Sequence, residues 1–175
     1  MTVPHASNRS VWLRALGLTG ALVLLGGAAD NGTPSVSGAS PIAVGEYLVA
    51  IGGCNDCHTV GWNQNPGKIP LAQRLTGNPV GWHGPWGTSY AVNLRLLVQG
   101  MTADAWVRHI AGMQPKPPMP WFNMRSMSEA DLRAMYGYIH SLGAGGEAMP
   151  MDLAPGETPT TPYLEAVPMQ PGKHP

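Results

Sequence analysis

The chain has 175 residues, of which 43% are apolar and 11% charged, and its 10 basic side chains balance its 10 acidic ones. This length allows one ordinary domain, and the neutral balance without any run of Lys or Arg argues against a nucleic-acid binder. Two cysteines are too few for a disulfide scaffold, whereas 6 Trp and 10 Met supply large apolar groups for a packed core.

The first segment has the layout of a secretory signal peptide. Arg9 and Arg14 precede an uncharged run at residues 15–29 that ends in small residues. This run is shorter than the roughly 20 residues that a membrane-spanning helix needs. We therefore expect a signal peptide at residues 1–29 and export to the periplasm, with an uncleaved N-terminal membrane anchor as the alternative. A small, polar linker follows at residues 30–40.

Three helices are predicted from apolar spacing and capping residues. The first covers residues 41–51, the second runs from Thr102 to Gly112, and the third lies between a capping Ser128 and Gly143. Each has a polar residue at its start that can accept a hydrogen bond from the first turn. These ends make the three helices the best-defined elements of the chain.

Two stretches lack helical periodicity. Residues 59–101 are rich in Gly, Pro, Asn and Trp, so we expect mainly loops there, and residues 150–175 form a Pro-rich extended tail, either draped over the domain or loose. Three short helices beside so long a loop make a poor core by themselves. A large, flat, apolar cofactor would give the helices a surface against which to bury.

Residues 54–58 carry the clearest chemical signal, because Cys54, Cys57 and His58 form the spacing C-x-x-C-H that is typical of c-type haem attachment. Two thiols three positions apart can form thioethers to both vinyl groups of one porphyrin, and the next imidazole can reach the iron. Three alternatives compete. A thioredoxin-like redox pair would follow a strand, a zinc site would need four ligands, and a disulfide across three positions would close only a short loop.

The sequence also resembles a known family. GEYLVAIGGCNDCHT is similar to the haem segments of exported c-type cytochromes, and PPMPWFNMRSMSEADLRAMYGYIHSLG resembles their C-terminal half, where a Pro-flanked methionine precedes the last helix. With GPWGTSYAVNL, the resemblance to monohaem class I cytochromes c covers residues 42–143, above all to small periplasmic cytochromes and cytochrome subunits of membrane-bound dehydrogenases.

The resemblance implies an all-α, cytochrome c-like fold over residues 41–149, in which three or more short helices wrap round one haem c held covalently by Cys54 and Cys57. One departure concerns the first helix, where Gly45 lies one residue further from the first cysteine than in the mitochondrial pattern. The family's close contact between this glycine and the last helix would then have to form at the shifted position.

Met119 is the expected sixth iron ligand, opposite His58. Prolines on both sides restrict the backbone at Met119, and the resemblance selects the same residue, 61 positions after His58. Met124 is the alternative. The other methionines near the last helix are expected to pack, as methionine usually does. Three further histidines, in a loop or on helices, are weaker ligand candidates: His83, His109 and His140.

Five more residues are expected near the cofactor. By the resemblance, the carbonyl of Pro70 accepts a hydrogen bond from the imidazole of His58. Four polar or aromatic side chains could hold the haem propionates, or could simply pack the loop: Trp82, Trp86, Tyr90 and Asn93.

These observations predict a periplasmic electron carrier and not an enzyme. It would take single electrons from a dehydrogenase or quinol-oxidising complex and deliver them to an oxidase or another cytochrome, through docking that is mostly apolar and weakly sensitive to salt. Two alternatives stay open. If Met119 does not bind iron, an open site could act on peroxide, nitrite or a sulfur compound. The chain could also be a structural subunit of a membrane dehydrogenase complex, with its tail as the attachment.

Overall fold

The computed structural model describes residues 40–167. The expected signal peptide or anchor, the linker up to residue 39 and the last part of the tail, residues 168–175, lie outside the described residues. Within residues 40–167, no helix is both long enough and apolar enough to cross a membrane.

Six helices and three strands are found in this range. The helices are α1 (Pro41–Ile51), α2 (Cys54–His58), α3 (Leu94–Gln99), α4 (Ala103–Gly112), α5 (Trp121–Arg125) and α6 (Glu129–Ser141), and the strands are β1 (Asn78–Gly84), β2 (Gly87–Ala91) and β3 (Tyr163–Glu165). The three predicted helices are confirmed as α1, α4 and α6. Helices α2, α3 and α5 were not predicted.

The predicted capping residues begin the three long helices. The hydroxyl oxygens of Ser40, Thr102 and Ser128 accept hydrogen bonds from backbone N–H groups in the first turns of α1, α4 and α6, at 3.3, 3.2 and 3.2 Å. Each bond satisfies one of the N–H groups that a helix start leaves without an intrahelical partner. The helix starts are therefore set by local sequence, as expected.

The core is helical, with α1 crossing α6 and with α3 and α4 packed on the same helix. Gly45 lies at the crossing, where a Cβ atom on it would come within 2.0 Å of the Ala134 carbonyl oxygen. The two helices therefore approach closely at Gly45 despite its shifted position. The buried apolar side chains of this core include Leu48, Val49, Leu75, Val98, Trp106, Ile110, Leu132, Met135 and Ile139.

A three-stranded sheet lies beside this mostly helical core, and it includes part of the stretch expected to be mainly loop. Its order is β2-β1-β3, with β1 and β2 antiparallel and β3 parallel to β1. Pro85 and Trp86 form the turn of the β1–β2 hairpin, and Gly87 follows at a φ of 93°, which favours glycine. Much of the stretch expected to be loop is thus a hairpin and its supports.

The described part of the tail lies on this hairpin. Leu153 donates to the Thr88 carbonyl at 2.9 Å and accepts from the Thr88 N–H at 3.2 Å, while an Asp152 carboxylate oxygen accepts from the Tyr90 N–H at 3.0 Å. Strand β3 then pairs with β1. Residues 150–167 therefore follow the first of the two alternatives, a tail draped over the domain.

Candidate functional site

The two cysteines lie on a helix of little more than one turn. Gly53, at a φ of 64°, turns the chain between α1 and α2. Because residues three apart share one face of a helix, α2 presents Cys54 and Cys57 on the same side. Both are half-buried and neither is in a disulfide.

The protonation of these thiols argues against a redox dithiol. Burial raises the pKa of Cys54 to about 11, and burial followed by the nearby Asp56 carboxylate raises the pKa of Cys57. Reactive cysteines of C-x-x-C redox pairs have lowered pKa values instead. A zinc site is not favoured either, since no group of three or more His, Cys, Asp or Glu side chains in residues 40–167 could hold a metal ion.

His58 is buried and oriented. Its Nδ1 lies 2.7 Å from the Val92 carbonyl oxygen. Burial lowers the pKa of His58, although the bond to Val92 opposes this shift, so the imidazole is neutral at neutral pH. Because a carbonyl can only accept, the proton sits on Nδ1 and leaves a lone pair on Nε2. A neutral imidazole anchored through one nitrogen is the usual state of a histidine that binds a metal through the other.

The bond to Val92 corrects the expectation for Pro70. The Pro70 carbonyl accepts instead from the Gln73 N–H at 2.9 Å, in a short 3-10 turn at Leu71–Gln73. The acceptor for His58 lies 34 positions along the chain, beyond the hairpin. A prediction based on distance along the chain could not find it, because the hairpin separates the two residues.

The attachment helix also has a buried polar support that the sequence did not reveal. The Thr59 hydroxyl donates to the Asn55 side-chain oxygen and accepts from the Leu75 N–H, both at 2.8 Å. Thr59 is only 1% exposed. The Gly77 N–H donates to the His58 carbonyl at 2.9 Å. These hydrogen bonds fix the end of α2 to the following segment, and no sequence motif indicates them.

Two of the expected propionate contacts have other roles. The Tyr90 hydroxyl lies 2.9 Å from the hydroxyl of Thr161 in the tail. The Asn93 side chain caps α3 through its oxygen and donates its amide hydrogens to the carbonyls of Gly145 and Glu147, at 2.8 and 3.0 Å. These hydrogen bonds tie both side chains to other parts of the fold, and their contact with the haem propionates stays a prediction.

The two tryptophans lie in or beside the hairpin. Trp82 is in β1, opposite Ser89 of β2, and Trp86 is in the turn. The Trp86 indole N–H is buried, and no residue in the described range accepts a hydrogen bond from it. A buried donor without an acceptor is costly, so this N–H is available to a carboxylate such as a haem propionate.

Met119 lies in the irregular segment between α4 and α5, and its side chain is half-buried. The backbone of this segment contacts β2, because the Ser89 hydroxyl donates to the Pro117 carbonyl at 2.5 Å. Met124 packs against the helical core together with Met113 and Met127. Met124, the alternative ligand, therefore has the same packing environment as Met113 and Met127.

The other histidines have local contacts. His83 Nδ1 lies 2.8 Å from the Thr88 hydroxyl. The rings of His109 and His140 are exposed and stack on Trp106 and Tyr136. His58 differs from these three histidines, because one of its ring nitrogens is hydrogen-bonded to a backbone carbonyl inside the protein.

A helical core around a C-x-x-C-H helix, with a buried neutral imidazole, defines a haem protein of the c type. A family model for cytochrome c matches residues 42–143, and the chain belongs to the cytochrome c family. Membership implies electron transfer by a covalently bound haem, and Cys54 and Cys57 fit its attachment. The donors present suit that group: two free thiols, an imidazole with an open nitrogen, and the unpartnered N–H of Trp86.

The chain is also similar to a nicotinate dehydrogenase subunit of Pseudomonas putida. The two are 29% identical over 106 residues, which is 55% of this chain and 8% of the relative. The matched region is therefore less than a tenth of that much longer protein. No solved structure matches the chain.

Proposed function

We propose that this chain is a periplasmic single-electron carrier with one haem c, held by Cys54 and Cys57 and bound at iron by His58 and Met119. It would pass electrons from a dehydrogenase or quinol-oxidising complex to an oxidase or another cytochrome. The haem, when bound, supplies the uptake and release of one electron. The observation that carries the proposal is the buried imidazole of His58, whose Nδ1 is anchored on the Val92 carbonyl oxygen beside the two cysteines of the motif.

Each residue has a distinct part in this proposal. Cys54 and Cys57 would keep the group attached outside the cytoplasm, where a dissociated cofactor would be lost. Val92 fixes the ring of His58 and strengthens its remaining nitrogen as a donor. Met119 would supply a soft thioether, which raises the reduction potential relative to a second histidine. None of these parts needs a group that moves protons to a substrate.

The proposal of a dehydrogenase as electron donor is supported by the similarity to a protein named as a dehydrogenase subunit. The cytochrome c family model matches residues 42–143 of this chain. This chain would then act as the cytochrome partner of an oxidoreductase, either as a subunit or as a separate carrier.

The ligand assignment is tested with Met119→Ala and its matched control Met124→Ala, in protein produced with haem attached. Wild type and Met124→Ala are expected to show the sulfur-to-iron charge-transfer band when oxidised and to bind no carbon monoxide when reduced. Met119→Ala is expected to lose the band and bind carbon monoxide. A band that survives Met119→Ala, or a pigment that acidified organic solvent extracts from wild type, contradicts the proposal.

Export is tested on the same preparations. The intact mass of the purified protein gives its first residue, and we expect cleavage after Ala29 or Ala39 with the pigment in the periplasmic extract. Recovery of the uncleaved chain with the membranes would support the anchor instead, and recovery in the cytoplasm would contradict export.

A further inference from the structure

The segment that contains Met119, residues 113–120, is held in place by side-chain contacts. It forms no helix or strand. The Ser89 hydroxyl donates to the Pro117 carbonyl at 2.5 Å, the Lys116 ammonium donates to the Leu153 carbonyl, and the Arg125 guanidinium donates to the Met113 carbonyl at 2.7 Å. Irregular segments with few backbone bonds of their own open most easily, so these contacts set where the segment lies.

We call the described part of the tail, residues 150–167, the strap. Of the three contacts, the one with Ser89 leads to the hairpin and the one with Leu153 leads to the strap. Leu153 of the strap exchanges two hydrogen bonds with Thr88, a residue with no exposed surface, and its carbonyl also receives Lys116. A Cβ atom on Gly87 would lie 2.1 Å from that same carbonyl oxygen. The strap is thus seated on the backbone of the hairpin and reaches the Met119 segment from there.

We infer that the strap and hairpin position Met119, with Ser89 and Lys116 as the positioning residues. This inference rests on the proposed role of Met119 as an iron ligand. The thioether can stay on iron only while residues 113–120 keep their place, and opening of this segment competes with ligation. Each hydrogen bond that favours the closed arrangement changes its population relative to the open one by about fivefold. Loss of either bond therefore raises the open fraction.

The test measures the affinity of the oxidised haem protein for added imidazole, which can bind iron only when Met119 leaves it. Ser89→Ala and Lys116→Met are each expected to raise this affinity about fivefold, since each loses one hydrogen bond. Ser89→Thr, which keeps the hydroxyl, is expected to restore the wild-type value. The matched controls are Ser141→Ala, which loses a hydroxyl bond of 2.7 Å to the Tyr138 carbonyl, and Lys68→Met at an exposed lysine.

The free energy of unfolding is measured together with the imidazole affinity. If Ser89 and Lys116 only stabilised the fold, their substitution would change the free energy of unfolding and leave the imidazole affinity unchanged. Equal imidazole affinity in Ser89→Ala, Lys116→Met and the two controls overturns the inference while leaving Met119 as a ligand. If wild type already binds imidazole as tightly as Met119→Ala does, the ligand assignment itself is wrong. Comparing wild type with Met119→Ala thus distinguishes the two failures.

Discussion

The contact between α1 and α6 gives a prediction in which two similar substitutions act in opposite directions. Gly45 on α1 faces the backbone of α6, and an added Cβ atom would lie 2.0 Å from the Ala134 carbonyl oxygen, 2.6 Å from its carbon and 2.7 Å from the Tyr138 Cβ atom. Gly137 lies inside α6. A Cβ atom there would have the Ile42 Cδ1 atom as its nearest neighbour, at an ordinary contact distance of 3.5 Å.

The magnitudes follow from these distances. Replacing glycine by alanine inside a helix stabilises it by about 1 kcal/mol. At Gly45 this gain is opposed by overpacking of about 3 kcal/mol, the upper end of the usual range, because the obstructing atoms belong to the backbone. We therefore expect Gly45→Ala to lower the free energy of unfolding by about 2 kcal/mol, and Gly137→Ala to raise it by about 1 kcal/mol.

Denaturant unfolding of the two haem-containing variants beside wild type measures both changes. The midpoint is expected to fall for Gly45→Ala and to rise for Gly137→Ala, with similar slopes. If Gly45→Ala is as stable as wild type, or if both variants shift in the same direction, the close crossing at Gly45 does not limit the packing of these helices and the reasoning is refuted.

Two further substitutions test other parts of the structure. Thr59→Val keeps the shape of the side chain but leaves the buried N–H of Leu75 without its acceptor. We therefore expect the free energy of unfolding, measured with denaturant, to fall by about 2 kcal/mol. An unchanged free energy would contradict the role of Thr59 in fixing the end of α2. The second substitution is Asp104→Asn. The hydrogen bond and the charge of Arg133 lower the pKa of the Asp104 carboxyl below its ordinary value. A carboxylate with a lowered pKa stabilises the folded protein at every pH above its ordinary pKa. This stabilisation is lost as the pH falls through the lowered pKa. Unfolding midpoints of wild type and Asp104→Asn should therefore differ at neutral pH and converge in strong acid, and a difference that persists in acid would contradict this linkage.

The long helices could be predicted because the signals that define them are local. Each has a capping residue within three positions of the N–H that it accepts from, and an apolar stripe long enough to show helical spacing. The C-x-x-C-H motif is local too, so its residues were identified from the sequence. Helices α2, α3 and α5, with five or six residues each, are too short to show a periodicity.

The hairpin left a weak signal that the general composition obscured. The sequence Gly84-Pro85-Trp86-Gly87 places two residues between glycines, and residues of high strand propensity follow it. Strand β2 is not marked by alternation, because all five of its residues are buried. The strap is bound mainly through backbone groups and one carboxylate, and such contacts leave no pattern in a sequence.

The failed expectation for Pro70 has the same origin. Both ends of the hairpin contact His58: the Gly77 N–H donates to its carbonyl, and the Val92 carbonyl accepts from its ring. Asn78 and Ala91, the next residues inward, are paired across the sheet. The hairpin therefore leaves from His58 and returns to it, so its length changes the distance along the chain from His58 to Val92 without changing their contact. A fixed distance along the chain identifies the hydrogen-bond partner of His58 only when no hairpin lies between the two residues. In this protein the partner is found from the hairpin itself, because the residues that flank its two ends both contact His58 whatever the length of the hairpin.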